Sequence, residues 1–155
     1  DSRQWRRGLY THWQRTFLHP MMANFDAPAR DECAAARTNS NTPQQALTLL
    51  NDPAFVEAAR VFAARLLREN AADDGARLDS AFRLAMNRAP REREVAALAA
   101  FLTKQREHYA SAKGDAEKLL AVGFAPKADF EPAEHAAWTQ VARVLLNAQE
   151  TITRY

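Results

Sequence analysis

Residues 42–54 read TPQQALTLLNDPA, and this run limits the fold more than any other. Thr42 with Gln45 three residues on is a capping box. The Thr42 hydroxyl accepts from the N–H of Gln45, and the Gln45 side chain reaches back to the N–H of Thr42. Pro43 falls at the first helical position, where its missing N–H costs nothing. Asn51 and Asp52 end this helix, Asp52 caps the next, and Pro53 again takes the first position. Two such starts predict a sharp corner. Ala46, Leu47, Leu49 and Leu50 predict that the first helix is short and mostly buried. In the second, Phe55, Ala59, Phe62 and Leu66 form one stripe, widened by Val56, Ala63 and Leu67. That stripe places Glu57, Arg60, Arg68 and Glu69 outside.

The same periodicity continues downstream. Leu78 to Asn87 reads as a helix with Leu78, Phe82, Ala85 and Met86 inward, broken at Pro90. The next carries Val95, Leu98, Phe101, Leu102 and Tyr109 on one side and stops at Gly114. Asp115 caps a short helix that ends before Gly123, and residues 124–132 are a loop. Pro132 opens the last helix, with Trp138, Val141, Leu145, Ala148 and Ile152 inward. Alanine is about a fifth of the chain and only four residues are glycine, a bias toward helix. No stretch alternates apolar and polar residues. The expectation is an all-α fold: a single compact orthogonal domain over residues 1–155, of about six helices, with a long irregular segment near the N-terminus. A chain of 155 residues can bury a core without staples.

The N-terminal stretch is less regular. Gln4 to Phe17 predicts a first helix, with Trp5, Leu9, Tyr10, Trp13 and Phe17 on one face and Arg6 inside that apolar stripe. Arg6 then either lays its stem along the core or is a buried, paired guanidinium. Leu18 to Asn41 has weak periodicity, with a short helical turn over Ala29 to Arg37. Met21, Met22 and Phe25 should pin part of it to the core, and long irregular stretches in compact domains tend to be functional or mobile.

Few chemistries have a signature here. The net charge is +2, from 21 basic and 19 acidic residues, too balanced to argue for nucleic acid or an anionic membrane. Arg3, Arg6, Arg7 and Arg15 interleave with aromatics, yet the aromatics fall on one stripe, as a core-facing helix requires. Cys33 is the only cysteine, so no internal disulfide forms, and it reads as a small residue at least half-buried. No C-x-x-C-H haem attachment, phosphate loop, nucleophile elbow or H-E-x-x-H is present. His12, His19, Asp26 and Cys33 are the set from which a metal site would have to be assembled, and their spacing is not diagnostic. No apolar run is long enough to span a bilayer. The chain begins at Asp1 rather than methionine, which predicts a C-terminal piece of a larger multidomain protein.

Six blocks in order, WRRGLYTHWQRT, FDAPARDEC, SNTPQQALTLLND, PAFVEAAR, RLAMNRAP and AAWTQVARVLLN, carry a resemblance. Together they resemble the C-terminal domain of unknown function (domain of unknown function 1553) of planctomycete-type cytochrome-c-domain proteins. The likeness runs from Arg6 to Arg154 and is most specific from Phe25 to Arg60. It implies a large, periplasmic or otherwise exported parent, with other domains N-terminal and a link to polysaccharide breakdown. Any haem would belong to the N-terminal part of that parent, and no cofactor is expected in this piece. The family's usual LNxDEF ending is LNAQET here, with Gln149 in place of an acid and Thr151 in place of an aromatic.

The resemblance transfers no catalytic residue. The main motifs all have a structural explanation and no charged cluster is left over, so the leading expectation is a non-catalytic interaction or scaffold module whose partners are the other domains of its parent. Its structural and docking candidates are Trp5, Arg6, Trp13, Phe25, Asp26, Thr42, Pro43, Gln45, Asn51 and Asp52. The alternative is a polysaccharide-acting enzyme domain or half-site using Asp26, Asp31, Glu32 and His19. Nucleic-acid binding through the N-terminal arginines ranks third.

Overall fold

Proline, caps and alanine-rich stripes leave the chain little besides helix. The computed structural model describes residues 5–12, 14, 17–29, 31, 33–36, 39–69 and 73–152. Among these are eight α-helices: α1 (Pro20–Asn24), α2 (Pro43–Asn51), α3 (Pro53–Glu69), α4 (Asp74–Met86), α5 (Glu92–Ser111), α6 (Lys113–Leu120), α7 (Pro132–Leu146) and α8 (Gln149–Ile152). The only strand pairing among them is an isolated bridge between Gln14 and Phe17. The contacts group into two compact units, Asp1–Thr48 and Leu49–Tyr155, with the division inside α2.

The larger unit is built around α7, which packs on α3, α4, α5, α6 and α8. A helix enclosed on most sides must be apolar most of the way round. His135 through Thr139 are all buried, and so are Val141, Ala142 and Leu145. Small residues permit that close approach: Ala59, Ala63, Ala81, Ala116, Ala136, Ala137 and Ala142 are fully buried. Leu66, Leu78, Phe82, Leu98, Leu102, Tyr109 and Trp138 fill the space between them, with Val95 and Phe101 packed partly against it. Burial does not orphan the Trp138 indole, whose Nε1–H donates to Glu134 at 2.9 Å.

Caps set several boundaries differently from the sequence pattern. Asp73 accepts from the N–H groups of Gly75 and Ala76, so α4 begins earlier than Leu78. Asn87 closes it in the left-handed conformation at φ 56°. Gly114 does not stop α5. That helix ends at Ser111, and Gly114 lies within α6. The last helix does not run through to Ile152: α7 ends at Leu146 and α8 follows, bringing Glu150 to Arg88. There Arg88 also takes Glu94 in a bidentate pair at 2.7 and 2.9 Å.

The smaller unit departs most from expectation. Among the described residues of 4–17 the predicted helix does not form; they contain a 3₁₀ turn at Gly8–Tyr10. Glycine in a helix interior is unfavourable by about 1 kcal/mol, and a short helix needs a buried face to hold it. Here the face is not buried: Trp5, Leu9, Tyr10 and Phe17 are 55%, 69%, 66% and 70% exposed, and Arg6 is exposed as well. The helix in this region is α1, with Pro20 at its first position. Met21, Met22 and Phe25 are half-buried. No helix forms among the described residues of 29–37.

Candidate functional site

The capping residues of α2 and α3 form as their chemistry requires. Thr42 N–H donates to Gln45 Oε1 at 3.1 Å, and Gln45 N–H donates to Thr42 Oγ1 at 3.2 Å. Pro43 and Pro53 open α2 and α3, and Asp52 accepts from the Ala54 N–H at 2.8 Å. Asn51 is the exposed last residue of α2. That helix is less buried than its leucines predict. Leu47 is exposed, Leu49 and Leu50 are half-buried, and the one buried side chain is Gln45.

Gln45 is buried because it is the hub of a polar cluster in the smaller unit. Its amide donates to the Asn24 carbonyl at 2.9 Å and to Ser40 Oγ at 3.0 Å, with Asp26 at 3.4 Å. Asp26 sits at φ 57°, a conformation Asp tolerates better than most residues. Its carboxylate accepts the Ser40 backbone N–H and the Ser40 hydroxyl, each at 2.8 Å. The Ser40 backbone bond, the Ser40 hydroxyl and the Gln45 amide hold its carboxyl below the usual aspartate range. Asn24 adds a bond to Thr48 Oγ1 at 2.7 Å. Asp26 is thus a tie between two segments, kept ionised and already supplied with donors. Asp31, His12, His19 and Cys33 are exposed; Cys33 is not the half-buried residue expected. Trp13, Glu32, Arg3 and Arg15 lie outside the described residues. Among the described residues, no three His, Cys, Asp or Glu side chains converge as metal ligands.

A second polar cluster, in the larger unit, was missed by periodicity. Glu57 and Arg60 are each 2% exposed, not on an outer face as expected. They lie one turn apart on the side of α3 that the 123–126 segment covers. Glu57 Oε1 accepts the N–H of Phe124 at 2.9 Å and that of Ala125. Arg60 donates Nη2 to the Ala125 carbonyl at 2.7 Å and Nη1 to the Pro126 carbonyl at 3.2 Å. Acid takes donors and base takes acceptors from three consecutive residues, which pins the loop. Gly123, at φ 91°, makes the approach possible. A Cβ there would lie 2.6 Å from the Glu57 Cβ. Behind them His135, also 2% exposed, sets Nε2 3.0 Å from the Arg60 carbonyl. Burial pushes its imidazole below the usual histidine pKa, and the Arg60 charge adds to that. The partners of Glu57 and Arg60 lie more than sixty positions away. The available hints were Gly123 and the apolar Ala64 sharing a face with the two charges.

Arg106 joins three helices of the same unit. It meets Asp74 of α4 at 2.5 and 2.9 Å and Glu134 of α7 at 2.5 and 2.7 Å. Its hydrogen bond and charge lower the Asp74 pKa.

The chain is therefore an all-helical protein whose sequence-selected polar residues tie backbone segments together, with exposed apolar side chains over residues 5–17. Residues 1–102 match the model of the PSD1 family, described as a protein of unknown function (DUF1553). The chain belongs to that family. No curated protein and no solved structure matches it. Among the described residues no helix is long and apolar enough to cross a membrane.

Proposed function

We propose that this chain is a non-catalytic helical interaction module that packs on other domains of a large exported cytochrome-c-domain parent, in the setting of polysaccharide breakdown. The observation that carries the reading is the exposure of Trp5, Leu9, Tyr10 and Phe17 within thirteen residues. Four large apolar side chains so close together are an unfavourable surface in water, and such surfaces mark contact sites. The state of Asp26 supports the same reading. A carboxylate held low in pKa and already accepting from Ser40 is poorly placed to exchange protons near neutral pH, as an enzyme site there would require.

The test is hydroxyl-radical footprinting of the full-length parent. Phe124, 70% exposed and in the other unit, is the internal reference. Trp5, Leu9, Tyr10 and Phe17 should label far more slowly than Phe124 in the parent. Leu9→Asp with Phe17→Asp should restore fast labelling of Trp5 and Tyr10. Labelling of the wild-type parent at the Phe124 rate would refute the proposal.

A further inference from the structure

The 123–131 segment, besides connecting α6 to α7, borders a hollow of about 310 Å³ whose walls include His135, Lys127, Glu117, Leu120, Phe130 and Pro132. Arg60 and Lys127 also line a second hollow of about 480 Å³ with Arg65 and Arg68. The first is large enough for a small molecule, and its lining divides evenly between apolar residues and polar or charged ones.

The chemistry turns on the two nitrogens of His135. A carbonyl oxygen can only accept, so the contact with the Arg60 carbonyl places the ring proton on Nε2. Nδ1 is then a bare acceptor. It makes no hydrogen bond among the described residues, yet it is not among the polar atoms sealed from solvent. The ring is almost wholly buried and lines the hollow, so that is where the Nδ1 lone pair is accessible. An acceptor open to a hollow takes its donor from whatever fills that hollow, water or a ligand hydroxyl.

Charge selects the rest of the ligand. Arg60, Arg65, Arg68 and Lys127 surround the two hollows, against Glu117, Glu69 and the buried Glu57. Glu69 is committed to Arg65 at 2.8 Å and Glu57 to the loop amides. Lys127 and Arg68 have no ion-pair partner among the described residues and neither has Glu117, so the two hollows taken together are net positive, with Lys127 sharing the first with Glu117. We propose that the hollow beside His135 binds a small hydroxylated organic anion. Its hydroxyl donates to His135 Nδ1, its apolar body packs on Leu120 and Phe130, and its anionic group meets Lys127. This site is independent of the N-terminal contact surface.

The experiment is nitrogen-15 NMR of the histidine side chains in the 155-residue chain, titrated with 4-hydroxyphenylacetate. The free protein should show His135 as the Nε2–H tautomer at neutral pH. The probe should shift its Nδ1 resonance saturably, with little change at exposed His12, His19 and His108. Phenylacetate, which lacks the hydroxyl, should bind about tenfold more weakly, the loss of one hydrogen bond of about 1.4 kcal/mol. Lys127→Ala removes an exposed side chain, so it should fold normally and weaken the probe several-fold. An Nδ1–H tautomer in the free protein would overturn the proposal. So would no saturable shift at about 10 mM probe, which would reveal a millimolar site, or equal binding of both probes to wild type and Lys127→Ala.

Discussion

Glu57→Ala should be among the most damaging single changes to the larger unit that leave the apolar core intact. The side chain is 2% exposed and one of its oxygens receives the N–H groups of both Phe124 and Ala125. A hydrogen bond to an ionised group contributes about 1.5–3 kcal/mol. Two donors sharing one oxygen contribute less than twice that, and the bonds are only part-buried, so the lower end applies to each. Truncation also leaves the Phe124 and Ala125 N–H groups without their acceptor, a loss that adds to the cost. A total of about 3 kcal/mol is expected. With a urea m-value of about 1.5 kcal/mol/M, the midpoint should fall by about 2 M at unchanged m. Glu57→Gln keeps an acceptor oxygen and should cost about 1 kcal/mol. Gly123→Ala should approach the Glu57→Ala value by a separate route, since its Cβ meets Glu57 and its φ of 91° is unfavourable for a side chain. Glu69→Ala, which breaks only an exposed i,i+4 pair with Arg65, should cost no more than about 0.5 kcal/mol. Hydrogen exchange should show the Phe124 and Ala125 amides losing protection in Glu57→Ala. A midpoint shift below about 0.3 M, or unchanged exchange at those two amides, would refute the latch.

Two further predictions concern the other polar ties. Gln45→Ala should destabilise the smaller unit by about 2–3 kcal/mol, because it removes half of the cap and the amide's bonds to Asn24 and Ser40; exchange over residues 39–46 reports it, with exposed Gln44→Ala as the near-neutral control. The Arg88 clamp should appear in acid: hydrogen bonds from Arg88 and the Arg91 N–H depress the Glu94 pKa from 4.5 to about 2, and Arg88 lowers Glu150 as well. A depressed folded-state pKa contributes stability above about 4.5 that is lost as pH falls toward 2. Glu94→Gln should flatten the acid limb of a far-UV circular dichroism titration across that window, and an unchanged limb would show that the clamp contributes nothing.

Most helices of the larger unit were legible because their signals are local. A capping box spans four positions, a proline sets its own φ, and an apolar stripe repeats within two turns. Leu66, Leu78, Phe82, Leu102, Trp138 and Leu145 therefore lie in the core where periodicity puts them. Two kinds of position escaped. The aromatic spacing of residues 5–17 satisfies a helical wheel, but a wheel does not say whether anything covers it, and here Trp5 and Phe17 face water. Glu57 and Arg60 look like any solvated pair on a helix, because the backbone that satisfies them arrives from positions 124–126.

The all-helical class, the helix starts at Pro43 and Pro53 and the apolar faces of α3, α5 and α7 follow from the amino acids in order, since each rests on interactions within a few residues. Only the tertiary structure decided that a buried acid and base fasten a distant loop, that His135 keeps one bare nitrogen on a hollow, and that α7 is enclosed by five other helices. Those outcomes depend on which backbone groups come together across long separations in sequence. Desolvated charges are tolerated only where such partners arrive, and nothing local to the charges records it.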